Sequence, residues 1–194
     1  MDTDELLTRY AKGRRDFRGV VLRGASFHEA ELPGIDLREA DLSGTSFVGA
    51  NLSRANLSRT ILRRSNLFGA ILRRAVLVWA VLCGAMLSES DLLGANFSGA
   101  TLRRADISGA NLARSNLCDT NCTRATFYLS DLTEANLHGA NLRSAELRRA
   151  VLRGTCLVGA NLTCADLREA DLEYARLRFA RLRGAIMPDG TVHG

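Results

Sequence analysis

The sequence predicts an all-β solenoid, and three observations carry that prediction. A large apolar residue recurs every fifth position from Phe17 to Met187, and Leu fills 27 of those 35 positions. Two residues before each stands a small one, Ala in 24 cases and Ser or Thr in eight. No insertion breaks the register anywhere between those ends. Each large residue is called a rung here, position i. The remaining rungs are Phe17, Phe27, Phe47, Phe97, Phe127, Ile107, Cys122 and Met187, and the exceptions at i−2 are Arg15, Val20 and Ile35.

A five-residue period excludes both simple alternatives. Five helical residues turn about 500°, so successive rungs would land roughly 140° apart and scatter around a helix. Five is odd, so an unbroken strand would send successive rungs to opposite faces. Within a repeat, however, i−2 and i are two apart and share one face of a short extended segment. If both point inward, the other residues must turn the chain, and successive turns stack. Small residues at i−2 leave room for large ones at i, which makes the interior narrow, layered and dry.

The elements follow in chain order. Residues 1–14 precede the repeat and read as a capping α-helix. Asp2 or Thr3 serves as N-cap, Asp4 and Glu5 suit the first turn, and Gly13 ends it after Lys12. Leu6, Leu7 and Tyr10 give this helix an apolar face for covering an open strand edge. The repeat occupies 15–189. Position i−1 is Asp or Asn in 18 of 35 repeats, residues whose side chains bond nearby turn backbone. Gly at i+2, as at Gly44, Gly49, Gly94 and Gly99, supplies freedom at corners. Pro188-Asp189-Gly190 is a turn signal that stops the last coil, leaving a tail over 190–194. That tail, or a second copy of the chain, is expected to cover the final coil.

Composition narrows the class. The chain of 194 residues reads as one domain, with net charge +5, a pI near 9.3 and 46% hydrophobic residues. The apolar run Ala75–Leu87 is too short to cross a membrane, and every member fits the five-residue register. No secretory leader opens the chain. Five Cys is an odd number; together with the missing leader this predicts reduced thiols and a cytoplasmic setting.

Catalysis is not expected. His28 and His138 point outward and His193 lies in the tail, and no metal-binding or nucleophile motif is present. The Asp residues at i−1 are spread as turn scaffold rather than paired as acids. No cofactor and no metal are expected, because a filled interior leaves no cavity for a small substrate.

Ala50-Asn51-Leu52-Ser53-Arg54, Ala135-Asn136-Leu137-His138-Gly139 and Ala165-Asp166-Leu167-Arg168-Glu169 match the A(D/N)Lxx motif, and over 15–189 the chain resembles the pentapeptide-repeat proteins. The resemblance implies a right-handed quadrilateral β-helix with four repeats per coil, hence nearly nine coils here. Glu5 to Phe17 looks like the N-terminal cap of cyanobacterial members, and Ala185 to Gly194 like their C-terminal ending. Those members include proteins linked to heterocyst regulation through a transcriptional regulator and its inhibitory peptide. Other relatives mimic DNA and protect gyrase from quinolones, pairing by their C-terminal ends. Mimicry needs an acidic surface, which the charge of this chain disfavours. A monomer and an end-to-end homodimer both remain open.

With four repeats per coil, outward residues sort onto four sides. The side of Leu22, Leu42 and so on to Leu182 carries Arg23, Arg63, Arg64, Arg103, Arg104, Arg124, Arg143, Arg181 and Arg183 against Asp41 alone, a net charge of +8. The next side, from Phe27 to Met187, is −4, and the sides of Leu32 and Phe17 are mixed. Arg23, Arg63, Arg103, Arg143 and Arg183 recur at i+1 on alternate coils. That spacing keeps like charges off adjacent strands, and it also builds a flat basic strip. On the Phe17 side, Cys118 and Cys156 fall two coils apart, roughly 10 Å and beyond disulfide reach.

Exposed apolar residues add a second signal. Val48 and Phe68 share a column above His28, and Trp79 stands at the corner leading into the Arg-rich side. Trp79 also sits one coil above Arg59, so a cation–π contact within the chain is the alternative to an interface anchor. The candidate partner site is Arg23, Arg63, Arg103, Arg143, Arg183, Trp79 and Phe68, facing an acidic protein. Nucleic acid comes second, because no stacking aromatics interleave with the arginines.

Overall fold

The computed structural model describes all 194 residues. Its single helix, α1 (Thr3–Ala11), is capped by Asp2, whose carboxylate accepts the Glu5 N–H at 2.8 Å. Lys12 ends it and Gly13 follows at φ +94°, a left-handed turn that Gly adopts without strain. Leu6 is fully buried in the same core as the first rungs, and Leu7 and Tyr10 pack beside it. The Tyr10 hydroxyl donates to the Pro33 carbonyl at 2.6 Å, which pins the helix to the solenoid. The Arg15 guanidinium lies over the Tyr10 ring, 3.9 Å from its centre.

From Asp16 to Ile186 the chain is built from single parallel bridges twenty residues apart, the first Asp16–Asp36 and the last Asp166–Ile186. Twenty residues are four repeats, so the coil is four-sided. The hydrogen bonds repeat with it. Leu22 N–H donates to the Asp41 carbonyl and Asp41 N–H to the Val20 carbonyl, both at 2.9 Å. Each side is therefore a very short parallel strand, and the turn Leu22–Ala25 closes by Ala25 N–H donating to the Leu22 carbonyl at 3.3 Å.

The corner requires a left-handed residue at i+2, which with the preceding bond is the signature of a type II turn. Gly supplies it at many corners, but twenty non-Gly residues adopt it too, from Glu29 to Phe179 at φ 53–62°. The stack imposes this conformation even where the side chain resists it. Asp and Asn at i−1 support the turn from outside. Asn51 Oδ1 accepts the Ser53 N–H at 3.1 Å, and Asn136 does the same for His138. This amide points away from the ladder, so the side chain gives it a partner it would otherwise find only in water.

The interior is filled. Every rung from Leu32 to Leu167 is at most 1% exposed. Where Ser or Thr replaces Ala at i−2, its hydroxyl donates to a rung carbonyl: Thr45 to Leu22 at 2.8 Å, Ser65 to Leu62 at 2.8 Å. Only the Ser115 hydroxyl lacks such a partner. Phe27 and Phe47 stack on successive coils at 5.1 Å. Cys122 takes a rung position, and burial pushes its thiol up to about 12. All five cysteines are free. No helix is long and apolar enough to cross a membrane.

The far end differs. Pro188 to Gly190 reverses the chain, and Val192 pairs antiparallel with Ile186. Gly184 N–H donates to the His193 carbonyl at 2.7 Å and His193 N–H to Ala185 at 2.8 Å. The tail thus folds over one side of the last coil. Leu172, Leu177 and Leu182 stay half-buried, and their amides donate to no other backbone group.

Candidate partner-binding surface

Outward side chains are placed by the same register that buries the rungs. A residue at i+1 stands beside two i−1 positions, its own and the one eighteen residues on. An acid at either position can neutralise the Arg. Arg23 pairs with Asp41 at 2.7 Å, and Arg73 and Arg153 pair likewise with Asp91 and Asp171. Arg38 and Arg168 instead turn back to Asp36 at 2.6 Å and Asp166 at 2.5 Å. At the corners, an Arg meets the residue twenty on: Arg114 pairs with Glu134 at 2.9 Å and Arg149 with Glu169 at 2.6 Å.

On the Leu22 side this neutralisation mostly fails. Eighteen residues after Arg63, Arg103 and Arg143 come Val81, Asn121 and Asn161, none of them acidic. Twenty after Arg64, Arg104 and Arg124 come Gly84, Arg124 and Ser144. Of the nine arginines on this side, Arg23 alone has a carboxylate within 4.0 Å. Asp41 feels the pairing strongly: hydrogen bonds from Arg23 and then Ser43 hold its carboxyl down to about 2. The other eight arginines are exposed and carry uncompensated charge.

The side is also sculpted. Arg63, Arg64, Arg103 and Arg104 wall a shallow depression floored by Cys83 and Gly84. Arg103, Arg124 and Arg143 wall a second around Thr123. Long and short residues alternate at i+1, so guanidinium walls alternate with small floors.

The sequence-derived residues do not all meet there. Arg23, Arg63, Arg103, Arg143 and Arg183 share one column by register, although Arg23 is neutralised. Trp79 lies at the corner entering this side and is 60% exposed. Its ring does not cover Arg59; the cation–π contact does not form. The indole leans toward the following coil, where a Cβ added to Gly99 would fall 2.5 Å from it. Side chains at left-handed corners point along the axis, and Gly99 leaves the space that Arg59 cannot offer. Phe68, 43% exposed, lies one side further round and is not joined to the Arg column. The missed signal is the neighbour one coil on: on this side an acid eighteen residues after an Arg, as Asp41 after Arg23, marks the paired one.

No group of three or more His, Cys, Asp or Glu side chains is placed to hold a metal ion. His28 and His138 stand on opposite sides of the coil, and His28 lies 3.5 Å from Glu29.

A family model described as Pentapeptide repeats matches eight overlapping stretches running from 16–38 to 152–187. HetL, a pentapeptide repeat protein involved in heterocyst differentiation regulation from the cyanobacterium Nostoc sp. strain PCC 7120, is 33% identical over the whole of both chains, with a TM-score of 0.55. Full-length QnrB1, a plasmid-mediated fluoroquinolone resistance protein, is 18% identical over 88% of this chain and 83% of its own, also at 0.55, a likeness of fold alone. No curated protein matches the chain. The unbroken register, the twenty-residue bridges and the family match agree: the chain belongs to the pentapeptide-repeat family.

Proposed function

We propose that this protein is a non-catalytic interaction scaffold whose Leu22 side docks on an acidic protein surface. The observation that carries this reading is the set of eight unpaired arginines on one flat side. Elsewhere on the rod the same register brings carboxylates to many of the arginines; here it brings Val, Asn and Gly. Arg remains protonated at any physiological pH and its planar fork matches carboxylates, so the side holds a permanent positive field. The likeness to HetL supports a regulatory setting.

In this reading the cap covers 1–14, the repeats 15–189 and the tail 190–194, wound right-handed in nearly nine coils. Five free thiols suit the cytoplasm. Monomer and end-to-end pair present the same side. Phe68 belongs to a secondary contact, since it faces a different direction from the arginines. DNA mimicry fits poorly, because a phosphate-like surface is negative and the most biased side here is positive; gyrase supercoiling is expected to stay unchanged on adding the protein.

The test is reversal of Arg63, Arg103 and Arg143 to Glu. The fold should survive, since all three are exposed, and affinity capture of the partner from lysate should be lost. Unchanged capture would reject the site. Duplex DNA titrated at two salt concentrations separates the nucleic-acid reading, for which affinity must fall steeply with salt.

A further inference from the structure

Resting on the acidic-partner reading, we propose that the Leu22 side receives one acidic amphipathic α-helix of the partner, laid along the rod axis. The spacing of the walls points to a helix. Adjacent coils are parallel strands about 4.8 Å apart, so Arg63, Arg103 and Arg143 stand about 9.6 Å apart. Two turns of α-helix, seven residues, rise about 10.5 Å and return to nearly the same face. Across the three walls the mismatch grows to only about 2 Å, within the reach of an Arg side chain. An extended strand shows one face at multiples of about 6.7 Å, and neither 6.7 nor 13.4 Å fits these walls.

The surface beside the walls has the second half of the imprint. Ile61 and Val81 lie half-exposed at i−1 on the same side, and Trp79 lies at the corner before Val81. Beside the Arg63 wall the basic column at i+1 thus has an apolar neighbour at i−1, about 7 Å away, which gives way to Thr101, Asn121 and Asn141 beside Arg103 and Arg143. That separation fits within a helix about 10 Å across, acidic along one stripe and apolar on the adjoining stripe at the end that meets Ile61 and Val81. Between the walls, Cys83 and Thr123 are short enough to admit side chains from the helix. A second copy of this chain cannot be the occupant: its only helix, α1, has nine residues and already caps the first coil.

The experiment uses the full chain and two synthetic helical peptides of roughly 22 residues, identical in composition, stapled to hold the helix. One carries Glu every seventh residue with Leu on the adjoining stripe; the other carries the same Glu every fifth residue, which scatters them around the axis. Fluorescence anisotropy at near-physiological salt should give the first peptide at least tenfold tighter binding. Arg103→Glu, with folding confirmed by circular dichroism, should erase that preference. Equal binding of both peptides, lost on reversing Arg63, Arg103 and Arg143, would overturn the helix while leaving the acidic-partner reading intact. Binding of either peptide that ignores all three reversals would overturn both.

Discussion

The Leu22 side and the Leu32 side lie on opposite faces of one coil and share a backbone, a register and a hydrogen-bonding pattern. They differ in what stands beside each Arg. The Leu32 side carries Arg54, Arg73, Arg74, Arg114 and Arg153 among six acids, and three of these arginines are ion-paired. Its Asp171 is held below the usual carboxylate range by Arg153. The Leu22 side carries nine arginines and pairs one. Even the shallow hollow around Ser53, Arg54, Arg73 and Leu93 has its counterparts on the Arg-rich side. Backbone geometry is therefore neutral about function. On these two sides the presence of an acid eighteen or twenty positions after an Arg decides whether its charge is neutralised within the chain or presented to a partner.

The largest effect should come from crossing from outside to inside. Leu102→Ala removes a fully packed rung and is expected to cost about 3 kcal/mol by chemical denaturation, whereas Arg103→Ala next to it should stay within about 0.5 kcal/mol. Comparable losses at both positions would mean that the outward residues also hold the fold together. The comparison of sides sharpens further if a carboxylate is supplied where one is missing. Val81→Asp and Asn121→Asp place acids eighteen residues after Arg63 and Arg103, and together should weaken partner binding by roughly tenfold while every Arg remains, about 1.4 kcal/mol. Isothermal titration that finds full affinity would show that the free charge of those two arginines is not what the partner reads.

A smaller effect is expected at the corner. Gly99 sits at φ +66° beneath the Trp79 ring, so Gly99→Ala combines left-handed strain with a displaced indole, at about 1–2 kcal/mol. Trp79 fluorescence should shift with it; an unmoved spectrum would mean that the ring does not rest there. The smallest effect is acid-dependent. The folded Asp41 carboxyl is held down to about 2, below its ordinary value of 3.8, so its pairing stabilises fully above pH 4. That contribution fades as pH falls toward 2. The stability advantage of the native chain over Asp41→Asn should shrink across that window, and an advantage that grew with acid would reverse the sign assigned to the pair.

The interior was legible because each rung touches the rungs one coil above and below, and that constraint leaves an unbroken period in the sequence. Position i−1 was legible for a similar reason, since Asp and Asn, where they occur there, accept the outward amide of the turn. The corners were not. A left-handed residue is required at each one, yet Arg, Glu, Trp and Gly all occupy them, so no residue type marks the conformation. Trp79 shows the consequence: the sequence offers Arg59 as one candidate neighbour, but left-handed corners aim side chains toward the following coil and so toward Gly99. The Arg column itself was readable, whereas the neutralisation of Arg23 depends on a carboxylate eighteen residues away. The half-covered final coil left no sequence signal beyond the turn at Pro188-Asp189-Gly190.

The central claim, that one side of an otherwise uniform rod does the binding, is tested most directly by two triple variants with equal change in net charge. Arg63→Glu, Arg103→Glu and Arg143→Glu alter the Leu22 side; Arg54→Glu, Arg74→Glu and Arg114→Glu alter the opposite one. Both should remain folded, and the first should lose the captured partner while the second retains it. Equal loss from the two variants would mean that overall charge, and not the Leu22 side, governs recognition.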